Sequence, residues 1–129
     1  EITKVKRAES GIILDPVTIS PDKTLKDAIS IMKNHEISGL PVLDHNEKIL
    51  GILTDRDIRF ESNLDQLVSQ VMTNQPETLT KEDPIVFALN LMHLGHYRHV
   101  PLVDDKNSPV GVITSKNIAQ YISQFMITA

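Results

Sequence analysis

The stretch Gly51-Ile52-Leu53-Thr54-Asp55-Arg56-Asp57-Ile58 decides the fold, because it returns sixty residues later as Gly111-Val112-Ile113-Thr114-Ser115-Lys116-Asn117-Ile118. Working outward from it, Pro16 to Ile58 lies over Pro76 to Ile118 without a gap. Nine positions coincide: Pro16/Pro76, Thr18/Thr78, Ala28/Ala88, Met32/Met92, Pro41/Pro101, Asp44/Asp104, Gly51/Gly111, Thr54/Thr114 and Ile58/Ile118. Most other pairs keep their polarity, as in Ile19/Leu79, Leu25/Ile85, Leu40/Val100 and Ile52/Val112. The 129 residues are therefore two copies of one unit, and a unit of about 60 residues is too small to bury much surface alone. The expectation is an N-terminal arm (1–13), a first repeat with a linker helix (14–73) and a second with a C-terminal helix (74–129), packed with pseudo-twofold symmetry around a fused core.

Each copy reads as strand, helix, strand, strand, helix, an α/β (α+β) unit in which a small mixed sheet is packed by helices. Val17-Thr18-Ile19 is a short strand opened by a proline. Leu25, Ala28, Ile29 and Met32 then recur at the spacing of a helix with one buried face, and Ile85, Ala88, Leu89 and Met92 repeat that stripe. Thr24 with Asp27 has capping-box spacing, while Asp83-Pro84 sets an acidic cap before a first-turn proline. Leu40 to Leu43 and Ile49 to Leu53 flank the polar turn Asp44 to Lys48, and Val100 to Val103 and Val110 to Ile113 flank Asp104 to Ser108, so both pairs are expected as hairpins. The prolines Pro41 and Pro101 point to edge or first positions of their strands. Short helices follow at Asp55 to Phe60 and from Ser115 to about residue 126. Leu64, Leu67, Val68 and Val71 form an amphipathic linker segment before the Asn74-Gln75-Pro76 turn. The arm carries a basic patch, Lys4, Lys6 and Arg7, but pattern alone does not fix its structure.

Composition narrows the function. Hydrophobic residues make up 40% of the chain and net charge is -4, the balance of a soluble globular protein with no diffuse positive field for a phosphate backbone. Five aromatics and no Trp leave little for stacking on single-stranded nucleic acid. The absence of cysteine excludes disulfides, thiol nucleophiles and thiolate metal sites. No apolar run approaches the 18 or so residues of a membrane span, and the start lacks a signal peptide, so the expected location is cytoplasmic, without membrane or nucleic-acid partners. Glu1 in place of Met suggests a piece of something longer. His93, His96 and His99 fall three apart, but Gly95 interrupts the helix they would need, so no metal site is expected. No serine, histidine and acid set converges, and phosphate-loop and dinucleotide glycine motifs are absent. No catalytic residue is assigned and the chain is expected not to be an enzyme.

The duplicated pattern, Leu40-Pro41-Val42 followed by Gly51 to Ile58, resembles a CBS domain, and the tandem resembles a CBS pair, or Bateman module, over about residues 12 to 122. The first half is similar to the regulatory module of inosine monophosphate dehydrogenase in Lys4-Val5-Lys6-Arg7, Glu9-Ser10-Gly11, Ile37-Ser38-Gly39, Arg56 to Glu61 and Val71-Met72-Thr73. The second half, in Phe87 to Met92 and Tyr97-Arg98-His99-Val100-Pro101, is more similar to stand-alone bacterial CBS proteins. Dehydrogenase catalysis itself has no place here, since that family carries it on a barrel of about 250 residues with a cysteine nucleophile. The resemblance implies instead an adenine nucleotide (AMP, ADP or ATP, or S-adenosylmethionine) bound in clefts between the repeats as a regulatory ligand, with no catalytic cofactor. It also implies a homodimer.

Carried onto this sequence, the resemblance sets Thr54 and Asp57 beside the ligand ribose. A carboxylate has acceptor oxygens for ribose hydroxyls, and a hydroxyl at a helix start meets phosphate together with backbone donors. The plain structural account of the same pair is a capping box worth ~1 kcal/mol. In the second copy Thr114 is kept, while Lys116 replaces Arg56 and Asn117 replaces Asp57, which predicts unequal sites with the Asp57 site tighter. Arg56, Lys116, Arg98 and His99 are candidates for phosphate, Arg98 first because its guanidinium fork binds phosphate bidentately; each is otherwise a solvated surface charge. Thr18 and Thr78 are candidate polar edges of the adenine pocket. Ile19, Ile37, Pro41, Leu79, Tyr97, Val100 and Pro101 are candidate apolar walls, with core packing as the alternative. Three functions stay open: an adenine-nucleotide sensor that signals to a fused or separate effector through changed packing, a dimerising or docking scaffold without ligand, and the excised module of an inosine monophosphate dehydrogenase-like enzyme.

Overall fold

In the computed structural model, which describes residues 12–80, 82–83, 85–94 and 97–115, the chain forms two compact units: Val17–Pro76, and Glu1–Pro16 together with Glu77–Ala129. In chain order the elements are β1 (Ile12–Leu14), α1 (Leu25–His35), β2 (Gly39–Leu43), β3 (Ile49–Thr54), α2 (Asp55–Ile58), α3 (Val68–Val71), β4 (Thr73–Asn74), α4 (Ile85–Leu94), β5 (His99–Val103) and β6 (Pro109–Thr114). Helices sit beside small antiparallel sheets, as the α/β (α+β) expectation required.

In the Val17–Pro76 unit the sheet order is β2-β3-β4, with Gly39 opposite Thr54 and Pro41 opposite Ile52. Pro41 lacks an N–H, and the register makes that harmless. Its carbonyl faces away from β3 and accepts from Ile19 N–H at 3.0 Å, so a donor at Pro41 would also have pointed off the ladder. Ile19 O in turn accepts from Leu43 N–H at 3.0 Å. These bonds form one isolated parallel bridge, Ile19↔Val42, where the sequence reading expected a strand over Val17 to Ile19. The core holds Ile19, Leu25, Ala28, Met32, Leu40, Val42, Leu53, Ile58, Val68 and Met72.

The start of α1 shows why the linker docks where it does. The first four N–H groups of a helix have no partner within it. Here Leu25 N–H donates to Gln66 O at 3.1 Å and Lys26 N–H to Leu64 O at 3.0 Å, while Thr24 and Asp27 close the expected capping box. The linker carbonyls thus complete the helix that precedes them by forty residues. α3 is shorter than the apolar spacing from Leu64 suggested: Leu67 is its half-exposed N-cap and only Val68 is fully buried. The short helix α2 ends at Ile58 instead of continuing to Phe60, whose ring is 88% exposed.

The second unit repeats these details at the same offset. Its sheet order is β1-β6-β5, with His99 opposite Thr114 and Pro101 opposite Val112. Leu79 N–H donates to Pro101 O at 3.0 Å and Val103 N–H to Leu79 O at 2.8 Å. Asp44 Oδ1 accepts from Asn46 and Lys48 N–H at 2.8 and 3.1 Å, and Asp104 Oδ1 from Lys106 and Ser108 N–H at 2.9 and 3.0 Å, so one aspartate templates each hairpin turn. Leu79, Ala88, Val100, Leu102 and Ile113 form the second core, with Leu91, Met92 and Tyr97 partly buried against it.

The third strand of each sheet comes from the segment ahead of a repeat. β4 pairs Asn74 with Gly51, and β1 pairs Leu14 with Gly111, so the strand before the second repeat completes the first sheet and the strand before the first repeat completes the second.

Candidate functional site

In the first unit the candidate residues gather where β2 begins and β3 ends. Thr54 closes β3 in an extended conformation and caps α2. Its N–H donates to Asp57 Oδ2 at 2.9 Å, its hydroxyl donates to the same oxygen at 3.1 Å, and Asp57 N–H donates to Thr54 Oγ1 at 3.4 Å. The pair is a capping box, and both bonds that Asp57 accepts fall on Oδ2, leaving Oδ1 without a donor among the described residues. Asp55 N–H donates to Ser38 O at 2.9 Å, which draws the Ile37-Ser38 loop against the helix start. The consequence differs from the expectation for phosphate. With its hydroxyl proton given to Asp57 and the Asp55 donor taken by Ser38, the start of α2 offers an anion less than its residue types suggested.

Around this corner Thr18 is half-buried beside the Ile19 bridge, Ile37 packs partly buried on the core, and Pro41 is fully buried. Ile19 belongs to the core itself. Arg56 is exposed on α2, as a charge free to meet solvent or ligand must be.

The second unit builds the same corner from different side chains. Ser115 N–H donates to Arg98 O at 2.8 Å, the counterpart of the Asp55 to Ser38 bond. Thr114 and His99 face each other across β5 and β6, 7% and 8% exposed, whereas Arg98 projects into solvent. Thr78 is half-buried, Tyr97 packs partly buried, and Pro101 is fully buried. His99 therefore sits inside the second unit, while Arg98 beside it is exposed. Lys116 and Asn117 lie outside the described residues, as does His96 of the histidine series; His93 is exposed on α4.

These two corners, alike in backbone and sixty residues apart, have a recognisable parentage. The family model of the CBS domain matches residues 11–63 and again 68–124. The chain belongs to the CBS domain family. It is 45% identical over 124 residues to inosine-5'-monophosphate dehydrogenase of Helicobacter pylori, covering 95% of this chain and 26% of that protein. The corresponding enzyme of Methanocaldococcus jannaschii is 36% identical over 118 residues, 92% of this chain and 24% of that one. The CBS pair thus spans about a quarter of the length of the curated relatives it matches, and the likeness runs through both repeats. Among solved structures, the CBS domain pair of the protein MJ0100, in complex with 5'-methylthioadenosine and S-adenosylmethionine, superposes with a TM-score of 0.80 at 26% identity, over 87% of this chain and 95% of that one.

Elsewhere the CBS repeats offer less chemistry. Among the described residues no group of three or more His, Cys, Asp or Glu side chains could hold a metal ion, and no helix is long and apolar enough to cross a membrane. A groove of about 390 Å³ lined by Thr80, Glu82, Val103, Asp104, Asp105 and Val110 is acidic and contains none of the candidate ligand residues. Two carboxyls among the described residues are held below their ordinary value, in a turn and a cap: Asp44 by the N–H groups of Lys48 and Asn46, and Asp27 by the backbone and hydroxyl of Thr24. The contacts that sequence reasoning missed are main-chain ones, the carbonyls of Ser38 and Arg98 that tie each loop to the following helix start. A main-chain carbonyl leaves no mark in residue type, so only the shared offset could have pointed to them.

Proposed function

We propose that this CBS pair is a regulatory module that binds an adenosine-containing ligand, AMP, ADP or ATP, at the corners built around Thr54-Asp57 and Arg98-Thr114. The observation that carries this is the free carboxylate oxygen of Asp57. The capping box fixes the carboxylate through Oδ2 and leaves Oδ1 to accept from a ribose hydroxyl, so recognition adds to a side chain already held in place and costs little further ordering. The adenosine compounds bound by MJ0100, a CBS pair of similar fold at 26% identity, support the same ligand class. Arg98 and Arg56 supply the positive charge that phosphates require. Ile37 and Tyr97, each partly buried, give the apolar surface at the corners for a base, with Pro41, Pro101 and Ile19 buried behind them.

A second reading concerns the host. Identity of 45% over 95% of the chain favours its being the regulatory portion of an inosine monophosphate dehydrogenase-like polypeptide of the cytoplasm, acting as a homodimer or larger assembly and reporting ligand occupancy to the remainder of that protein. The signal requires that ligand bind two arrangements with different affinity, since equal binding shifts nothing.

Calorimetric titration of the chain with AMP, ADP, ATP, S-adenosylmethionine, 5'-methylthioadenosine and GTP tests the proposal. Arg98→Ala is expected to weaken a phosphorylated adenosine about 10-fold or more and to leave 5'-methylthioadenosine unchanged, because a hydrogen bond to a charged group contributes about 1.5–3 kcal/mol. Heat of binding for none of the adenosine compounds points to the scaffold instead.

A further inference from the structure

The two corners share a backbone frame and differ in charge. In each, the N–H that follows the last strand is already spent: Asp55 N–H on Ser38 O at 2.9 Å, and Ser115 N–H on Arg98 O at 2.8 Å. These donors do not distinguish the corners, so the choice of ligand falls to side chains. At the first corner Asp55 and Asp57 stand against Arg56 and Arg59, and Arg59 Nη2 lies 3.9 Å from Asp55 Oδ2, so one guanidinium is turned to a carboxylate of its own segment. Sixty residues on, Ser115, Lys116, Asn117 and Ala119 take those places in the sequence, and Arg98 stands where the first repeat has Ser38. Ser38 and Arg98 are both exposed. Where the first corner balances two carboxylates with two guanidiniums, the second carries two cations and no carboxylate.

A phosphate and an uncharged sugar respond to this difference in opposite ways. An ionised phosphate offers acceptors alone, so a carboxylate takes no hydrogen bond from it and repels it, while a ribose hydroxyl donates to that carboxylate. At the first corner Asp57 Oδ1 accepts from none of the described residues and is the oxygen such a hydroxyl would reach. Two units of charge at about 6 Å change the affinity for one phosphate charge about tenfold, even at the dielectric of water. Each further phosphate on the ligand widens that gap.

We infer that the two corners take different ligands: the Thr54-Asp57 corner an adenosine compound without phosphate, the Arg98-Thr114 corner a phosphorylated one. This rests on the adenosine reading above and divides it. The specificity-determining position is the one held by Ser38 in the first repeat and Arg98 in the second. The pair then holds both ligands at once, and its response follows the balance of phosphorylated to unphosphorylated adenosine instead of either compound alone.

Titration calorimetry with 5'-methylthioadenosine and ATP tests the division. ATP added to a chain saturated with 5'-methylthioadenosine is expected to bind as tightly as it binds the free chain, a single ATP per chain, with the 5'-methylthioadenosine retained. Added salt is expected to weaken ATP and to leave 5'-methylthioadenosine unchanged. Arg98→Ser, which installs the first repeat's residue, is expected to weaken ATP about tenfold or more without affecting 5'-methylthioadenosine. Ser38→Arg is expected to open the first corner to a second ATP that displaces 5'-methylthioadenosine; the bond from Asp55 N–H uses the carbonyl of residue 38 and survives the change. Competition between the two ligands in the native chain, equal binding of ATP at both corners, or a Ser38→Arg chain that still takes a single ATP each overturns the division and leaves the adenosine reading standing. No heat from either ligand overturns the adenosine reading itself, and the division with it.

Discussion

At Gly51 one added methyl group should do severe damage. A Cβ built there lies 2.6 Å from Met72 Sδ, 2.7 Å from Thr73 O and 3.1 Å from Met72 Cγ. The thioether is the flexible end of a side chain and can swing aside, but the Thr73 carbonyl is backbone. It must retreat by more than half an ångström to reach ordinary contact, and β4 must go with it. The two-residue pairing of Gly51 with Asn74 and Ile52 with Thr73 is what holds β4 to the sheet, so the retreat loosens it. Overpacking of this kind costs about 1–3 kcal/mol, and weakening a ladder hydrogen bond adds about 1 kcal/mol. Gly51→Ala is therefore expected to destabilise the chain by about 2–4 kcal/mol, a drop in Tm of about 8–15 °C at this length. Urea denaturation and thermal scans of the native and variant chains measure it. Met72→Ala separates the two walls. If the carbonyl is the harder one, Gly51→Ala keeps at least half its cost in a Met72→Ala background; if it becomes neutral there, the thioether was the obstacle and the argument from β4 fails. A Gly51→Ala chain within about 0.5 kcal/mol of the native one refutes the close-approach reasoning altogether.

Thr54→Val and Asp57→Ala divide the capping box from the ligand site. Both are expected to cost about 1 kcal/mol of stability, the usual value of a cap, but only Asp57→Ala should weaken an adenosine ligand by tenfold or more in calorimetry; equal losses of affinity would assign the whole effect to the cap. Asp44 gives a pH prediction. Its carboxyl is held below the ordinary value of 3.8, first by the Lys48 N–H and then by that of Asn46. A lowered folded pKa stabilises above the unfolded value and is lost as pH falls through the folded one, so the Tm difference between native chain and Asp44→Asn should be largest at neutral pH and shrink below about pH 4.

Much of this architecture is written locally and was legible for that reason. The helix stripe Leu25, Ala28, Met32 is buried as its spacing requires, Thr24 and Asp27 close their box, and Asp44 and Asp104 template their turns through bonds spanning only two to four residues. The family likeness was legible because Gly51 to Ile58 recurs in order. What was hidden is non-local. Nothing in Ile12-Ile13-Leu14 announces that it pairs with residues 111–113. Gly51 looks like a turn or motif glycine until Met72 and Thr73 are seen against it. Val17 to Ile19 has strand composition but makes only the bridge at Ile19, because β2 offers that flank no more than the carbonyl of Pro41 and the N–H of Leu43.

The corner at Thr54 shows why capping and ligand binding were hard to separate from sequence: they share residues without competing for atoms. A carboxylate has two oxygens, and here Oδ2 satisfies the Thr54 N–H and hydroxyl while Oδ1 accepts from none of the described residues. The same spacing serves the helix whether or not a ligand exists. An asparagine in that motif position, as in the second repeat, cannot divide the work in the same way. An amide has one acceptor oxygen and a donor group where an aspartate has two charged acceptor oxygens. The predicted inequality of the two repeats then lies in charge: the first carries an ionised acceptor at this motif position, the second a neutral amide.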